Sequence, residues 1–170
     1  MNHSKIYSLT TNNYQLTTFI YQLKTKKMAS DFHKTIIVNA SPKEAFNKIA
    51  KVGDWWAKTF TGKALHQNDT FRVAFGTTWV DFKVTEAIPD KRAVWLVTDS
   101  YLPWLNDKTE WTDTQVIFDI AAENGSTKID FTHVGLVPGI ECYGDCEKGW
   151  TKHVTISLAA FIEKGEGIPQ

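Results

Sequence analysis

From Phe71 to His133 the apolar residues of this chain recur largely at every second position. Phe71, Val73 and Phe75 alternate with Arg72 and Ala74, and Val80, Phe82 and Val84 alternate with Asp81 and Lys83. Val116, Phe118 and Ile120 alternate with Gln115 and Asp119, with Ile117 breaking the pattern; Ile129, Phe131 and His133 alternate with Lys128, Asp130 and Thr132. Arg92 to Thr98 is a denser apolar run around Trp95. A period of two places alternate side chains on one face of a strand. Gly76, Pro89-Asp90 and Asn124-Gly125 are turn signals between the runs. Short connections with one-faced alternation predict an antiparallel meander rather than a parallel sheet with crossover helices.

The flanks follow a different period. Phe32 to Val38 reads as a first strand. Ser41-Pro42 places a capping residue before a proline suited to the first helical position, so a helix is predicted from Pro42 to about Lys51. Glu44 completes a capping box, and Ala45, Phe46 and Ile49 form the buried stripe. Gly53 is expected to end this helix, and Asp54 to cap a second short one containing Trp55 and Trp56. A long amphipathic helix is predicted from Gly139 to Lys164, with Gly144 and Gly149 in its first turns. Its stripe is Tyr143, Cys146, Trp150, Val154, Leu158 and Phe161, and Gly165 is its stop. The order strand, two helices, about six strands, long helix is that of an α+β helix-grip fold. In it a curved antiparallel sheet wraps a C-terminal helix, two short helices follow the first strand, and a cavity lies between sheet and helix.

Composition narrows the function classes. A chain of 170 residues is most simply one domain, placed at residues 31–168. Residues 1–30, rich in Asn, Thr, Ser and Lys without sustained period, read as a disordered or loosely attached extension. Met28 opens MASDF just before the first strand, as an alternative start or the end of a tag-like extension would. Formal charge is zero and Lys24, Lys26 and Lys27 are too few for a nucleic-acid footprint. No run reaches the roughly 20 apolar residues of a membrane span. Leu16 to Leu23 is too polar for a signal peptide, and two cysteines four apart make no disulfide framework; a cytoplasmic location is expected. Seven tryptophans are unusual, and place large amphipathic rings in cores, interfaces or pockets.

These segments, in this order, resemble a known family. SPKEAFNKIA, DWW, VDFKVTEAIPDKRAVW, EWTDTQVIFDI, NGSTKIDFTHVGLVPGIECYGDCEKGW and SLAAFIEKGEG are similar to the START-like (SRPBCC) superfamily, whose fold is that of the birch-pollen allergen. The resemblance is to the branch named for the C-terminal domain of the activator of the heat-shock protein ninety ATPase, and it covers about Asp31 to Pro169. It implies a deep hydrophobic pocket between sheet and terminal helix. The superfamily includes lipid and hormone binders, aromatase/cyclase-like enzymes and co-chaperone domains, so the fold alone does not choose a function. The eukaryotic co-chaperone carries a large N-terminal domain where this chain has about 30 polar residues.

The expected ligand is a small apolar or amphipathic molecule; a chaperone partner and a cyclase- or hydrolase-like reaction in the same cavity are the alternatives. Phe71, Phe75, Phe82, Phe118 and Phe131 are expected to line the pocket from the strands, with Trp55, Trp56 and Trp95, and Trp111 beside them, ringing the mouth. Trp150 is the helix wall, either core or pocket lining. His133 offers two readings, a polar hook for a ligand or a half-buried histidine bonded to backbone or water. His153, three residues after Trp150, faces the pocket or reaches solvent. Cys142 and Cys146 read as packing thiols: one helical turn apart, they lack a third metal ligand within reach, and only a helix N-terminus favours a reactive thiolate. Trp79 is expected on the outer face, Trp104 in a lid or contact loop, and Glu110, Asp113 and Asp119 on or near one strand, solvated on its polar face. No phosphate loop, nucleophile elbow or zinc-protease motif is present, so neither catalytic residues nor a cofactor or metal are assigned.

Overall fold

The computed structural model describes residues 30–170. The expectations for residues 1–29 lie outside the described residues. Seven strands form one antiparallel sheet: β1 (Phe32–Val38), β2 (Thr59–Gly62), β3 (Thr70–Phe75), β4 (Thr78–Ile88), β5 (Arg92–Tyr101), β6 (Gln115–Glu123) and β7 (Ser126–Val134). Their order is β1-β7-β6-β5-β4-β3-β2, so the meander β2 to β7 folds round until β7 meets β1. Register shifts between Asp81 and Phe82 and between Val84 and Glu86 interrupt the β4–β5 ladder. Such irregularities sharpen twist and bend a sheet, which helps it curve. Phe71 lies opposite Phe82, and Phe118 opposite both Ala93 and Phe131, so inward aromatic positions meet across neighbouring strands.

Helix α1 (Pro42–Ile49) has the expected capping box: Ser41 Oγ accepts from the Glu44 backbone N–H at 3.2 Å, and Glu44 accepts from the Ser41 backbone N–H at 3.1 Å. It stops at Ile49, short of Lys51. The next helix differs more. Gly53 and Asp54 lie inside α2 (Val52–Trp55), Lys51 holds its N-cap without a side-chain bond, and Trp56 is the C-cap rather than a helical residue. Asp54 is thus no cap. Burial of Val52 and Trp55 outweighs the weak helix propensity of glycine in so short a segment.

The C-terminal helix begins at Tyr143, not Gly139. It runs as α3 (Tyr143–Lys152), passes through a π-helical stretch (His153–Leu158) and continues as α4 (Ala159–Lys164). Gly165, at φ 79°, closes it in the left-handed conformation. Lys48 of α1 donates to the Phe161 and Ile162 carbonyls at 3.0 and 2.8 Å, placing a cation at the helix C-terminus. The sheet and this helix enclose one hydrophobic core. Its centre is filled by aromatic rings: Phe71 stacks on Phe82 (4.8 Å), Trp95 meets Phe118 (4.9 Å), Phe118 meets Phe131 (5.2 Å), and Phe131 meets Trp150 (4.7 Å). No helix of the described residues is long and apolar enough to cross a membrane.

Candidate functional site

The cavity lies at one end of the grip, beside α3, rather than along its length. Its walls come from Trp56 after α2, Phe75, Thr78 and Val80 of the β3–β4 hairpin, Leu102, Trp104 and Trp111 of the β5–β6 loop, and the inward side of the terminal helix. It has a volume of about 170 Å3. An apolar cavity of comparable size holds a single aromatic ring, and drug-sized sites start near 300 Å3. Five expected residues line it: Trp56, Phe75, Trp111, Trp150 and His153. Trp55, Phe71, Phe82, Trp95, Phe118, Phe131 and His133 are instead packed into the core and do not line it. Rings on the inward sheet face pack against one another here, so a shared face does not mean a shared cavity.

His133 is fully buried. Trp150 Nε1–H donates to its Nδ1 at 2.9 Å. Its Nε2 lies 3.0 Å from Thr114 Oγ1, and that hydroxyl in turn donates to the Trp111 carbonyl at 2.5 Å. Since Nδ1 and Thr114 Oγ1 are both acceptors in these bonds, the proton sits on Nε2 and the ring is neutral. Burial pushes its pKa down to about 3. The residue is therefore a structural bracket joining β7, the β5–β6 loop and α3, and it has no free nitrogen for a ligand. The ring also sits edge-on to Trp111 (4.7 Å), which stacks parallel to Trp150 at 6.0 Å.

His153 is 5% exposed and lines the cavity. Its Nδ1 has no hydrogen-bond partner among the described residues. Burial, then the charge of Lys152, push its pKa down to about 4, against a hydrogen bond with Gln170 that favours protonation. It is neutral at pH 7. A C-terminal strap brings Gln170 there. Ser157 Oγ donates to the Trp55 carbonyl and accepts from the Ile168 N–H, both at 2.6 Å, and Gln170 exchanges backbone bonds with Trp56 and Lys58 at 3.0 and 2.8 Å. Gly167 makes this possible: a Cβ there would stand 2.0 Å from the Asp54 carbonyl oxygen.

The mouth of the cavity is tied to the start of the terminal helix. Glu110, expected on or near a strand and solvated, lies in the β5–β6 loop and instead accepts the Glu141 and Cys142 N–H groups at 2.6 and 2.9 Å. Glu141 accepts from the Asn106 backbone and side-chain N–H groups at 2.9 and 3.0 Å. Asp113 is a loop residue at φ 68°, and only Asp119 is on a strand, where it pairs with Arg92. Cys142 is buried and accepts from Trp111 Nε1–H at 3.1 Å. Its hydrogen bond with Cys146, then burial, push its thiol pKa up, the opposite of helix-terminus activation. Cys146 faces the cavity. Trp104 stands at the mouth with 53% of its surface exposed. Trp79 lies on the outer face, stacked on Tyr101 under the Arg72 guanidinium. Among the described residues no three His, Cys, Asp or Glu side chains are arranged to hold a metal ion.

Thr78, Val80, Leu102, Gly149 and Gln170 were not singled out as lining residues by the sequence. Val80 carried the strand alternation and Leu102 flanked the Trp104 loop, the only signals that pointed toward them. Gln170 reaches the cavity through a tail whose strap bonds have no sequence pattern.

Architecture and cavity define the class: a helix-grip fold with a buried aromatic cluster. No family model and no curated protein matches the chain. Among solved structures it is similar to the Aha1 dimer from Colwellia psychrerythraea, with a TM-score of 0.67 and 23% identity over 81% of this chain and 99% of that one. It is also similar to protein SSP2350 from Staphylococcus saprophyticus (TM-score 0.62, 12% identity, 82% and 96% covered). A third is Bacillus halodurans protein BH1534 (TM-score 0.61, 16% identity, 80% and 100% covered). The chain thus has the fold of Aha1-like structures, the resemblance its sequence motifs indicate.

Proposed function

We propose that this protein binds a small apolar or amphipathic molecule in the cavity beside α3. The observation that carries this reading is a cavity of about 170 Å3 with walls of Trp56, Phe75, Val80, Leu102, Trp111 and Trp150, open beneath the exposed Trp104. Apolar walls with few polar groups are the usual composition of a ligand site, and this one suits a group about the size of one ring. The polar end of a longer molecule leaves through the mouth. The enzymatic alternative with His133 as acid or base draws no support from the geometry, because both ring nitrogens are bonded and the ring stays neutral. A chaperone-type interaction module has the fold in its favour and no further observation.

Native mass spectrometry of freshly purified protein is expected to show a retained small molecule or, with an empty cavity, tryptophan fluorescence quenched by single-ring apolar compounds. Trp104→Ala is expected to weaken that binding without unfolding the domain, since the ring is half exposed. A chain that retains nothing and responds to no member of such a panel would falsify the reading.

A further inference from the structure

Four of the seven tryptophans, Trp56, Trp104, Trp111 and Trp150, converge on this one small cavity. The charged residue among its lining is Asp145, at the rim on the first turn of α3; among the described residues no lysine or arginine lines it. His153 is neutral, and Cys142, behind Cys146, stays a thiol. Lys148, one turn on from Asp145, is 3.9 Å from its carboxylate, and both side chains are more than 80% exposed, so the pair is loose and screened. Among the lining side chains the one full charge is therefore the Asp145 carboxylate, beside indole rings, with Lys152 acting on His153 from outside the lining. An indole face is the best aromatic partner for a cation, whose attraction grows as water is removed. An anionic headgroup finds no counter-charge among the described lining residues, and a carboxylate would meet Asp145.

We propose that the cavity accepts an alkylated ammonium group, of the trimethylammonium kind, with Asp145 at its entrance and Trp104 closing over it. The inference rests on the ligand-binding reading above and specifies its chemistry. A trimethylammonium group is compact, presents methyl groups to apolar walls and spreads its charge over them, so it loses less hydration on entry than a primary ammonium. The rest of such a molecule leaves past Trp104, where the site is open to solvent.

The test uses an isosteric pair on the full chain: choline, and 3,3-dimethyl-1-butanol, in which carbon replaces the charged nitrogen. Isothermal titration calorimetry is expected to find choline bound on the order of tenfold more tightly. Trp104→Leu, which keeps an apolar side chain but removes one of the four π faces, is expected to narrow that preference, with choline losing more affinity than the neutral compound. Asp145→Asn, at an exposed position, is expected to lower choline affinity alone. Equal or tighter binding of the neutral alcohol overturns the ammonium assignment and leaves the apolar-cavity reading standing. Binding of neither compound, together with an unresponsive single-ring panel, removes both. Preference for choline that survives both substitutions places the cation elsewhere and also overturns the assignment.

Discussion

At His133 three constraints meet in one side chain: complete burial, an indole donor on one nitrogen and a threonine hydroxyl on the other. The neutral ring fits because each nitrogen has the partner its tautomer requires, and protonation would bury a charge and set Nδ1–H against Trp150 Nε1–H. Trp150→Phe keeps an aromatic ring but a smaller one, and leaves Nδ1 without a donor, so urea denaturation should show a loss of at least about 1–3 kcal/mol from the lost bond and the cavity together. An unchanged midpoint would mean that the bond contributes nothing. The pKa values add a pH signature. His133 and His153 titrate in the fold near 3 and 4, below the ordinary histidine value, so the unfolded chain binds more protons between those values and about 6.5. Their stabilising contribution is full above about pH 6.5 and is lost as pH falls through that window. For His133 the slope is about 1.4 kcal/mol per pH unit. Denaturation midpoints at about pH 7.5 and about pH 5 are expected to differ in that direction, and a flat profile would contradict the buried neutral ring.

At the scale of elements, the strap and the π-helical stretch set the shape of the cavity. Ser157 lies in that stretch and bonds both the Trp55 carbonyl and the Ile168 N–H. Ser157→Ala leaves both groups unpaired, and is expected to cost about 1–3 kcal/mol in unfolding free energy and to speed amide hydrogen exchange at Ile168 and Gln170. Slow exchange retained at both amides would mean that the tail is held otherwise. These features also mark where sequence reading reached its limit. Alternation at Phe71, Val80, Phe118 and Ile129 identified strands because a half-buried sheet imposes a period of two on side chains. The Ser41–Glu44 box located α1 because capping chemistry is local. Nothing local announces a π-helical turn, whose inward positions overlap those of an α-helix, or a strap made by one hydroxyl and backbone groups. Alternation likewise reports which face a ring occupies and not its depth. Phe75 lines the cavity while Phe82, on the same inward side of the neighbouring strand, is packed between Phe71 and Trp95. His133 looked like a pocket hook for the same reason: its partners, Thr114 and Trp150, are 19 and 17 residues away in the chain.

For the whole molecule, a ligand is proposed to enter one end of a grip whose middle is already filled with aromatic side chains. The tryptophans report on this division from within. Trp56, Trp104, Trp111 and Trp150 line the cavity, Trp55 and Trp95 are sealed in the core, and Trp79 lies on the outer face of the sheet. The most direct measurement is therefore a titration of the full chain with choline and with 3,3-dimethyl-1-butanol, followed through the indole N–H resonances of all seven tryptophans in a nitrogen-15 correlation spectrum. Saturable shifts confined to the four cavity indoles, with Trp55, Trp95 and Trp79 unmoved, are the predicted result. Shifts centred on Trp55 and Trp95 would mean that ligands enter the middle of the grip, and no saturable shift with either compound would contradict the cavity as a binding site for groups of this size.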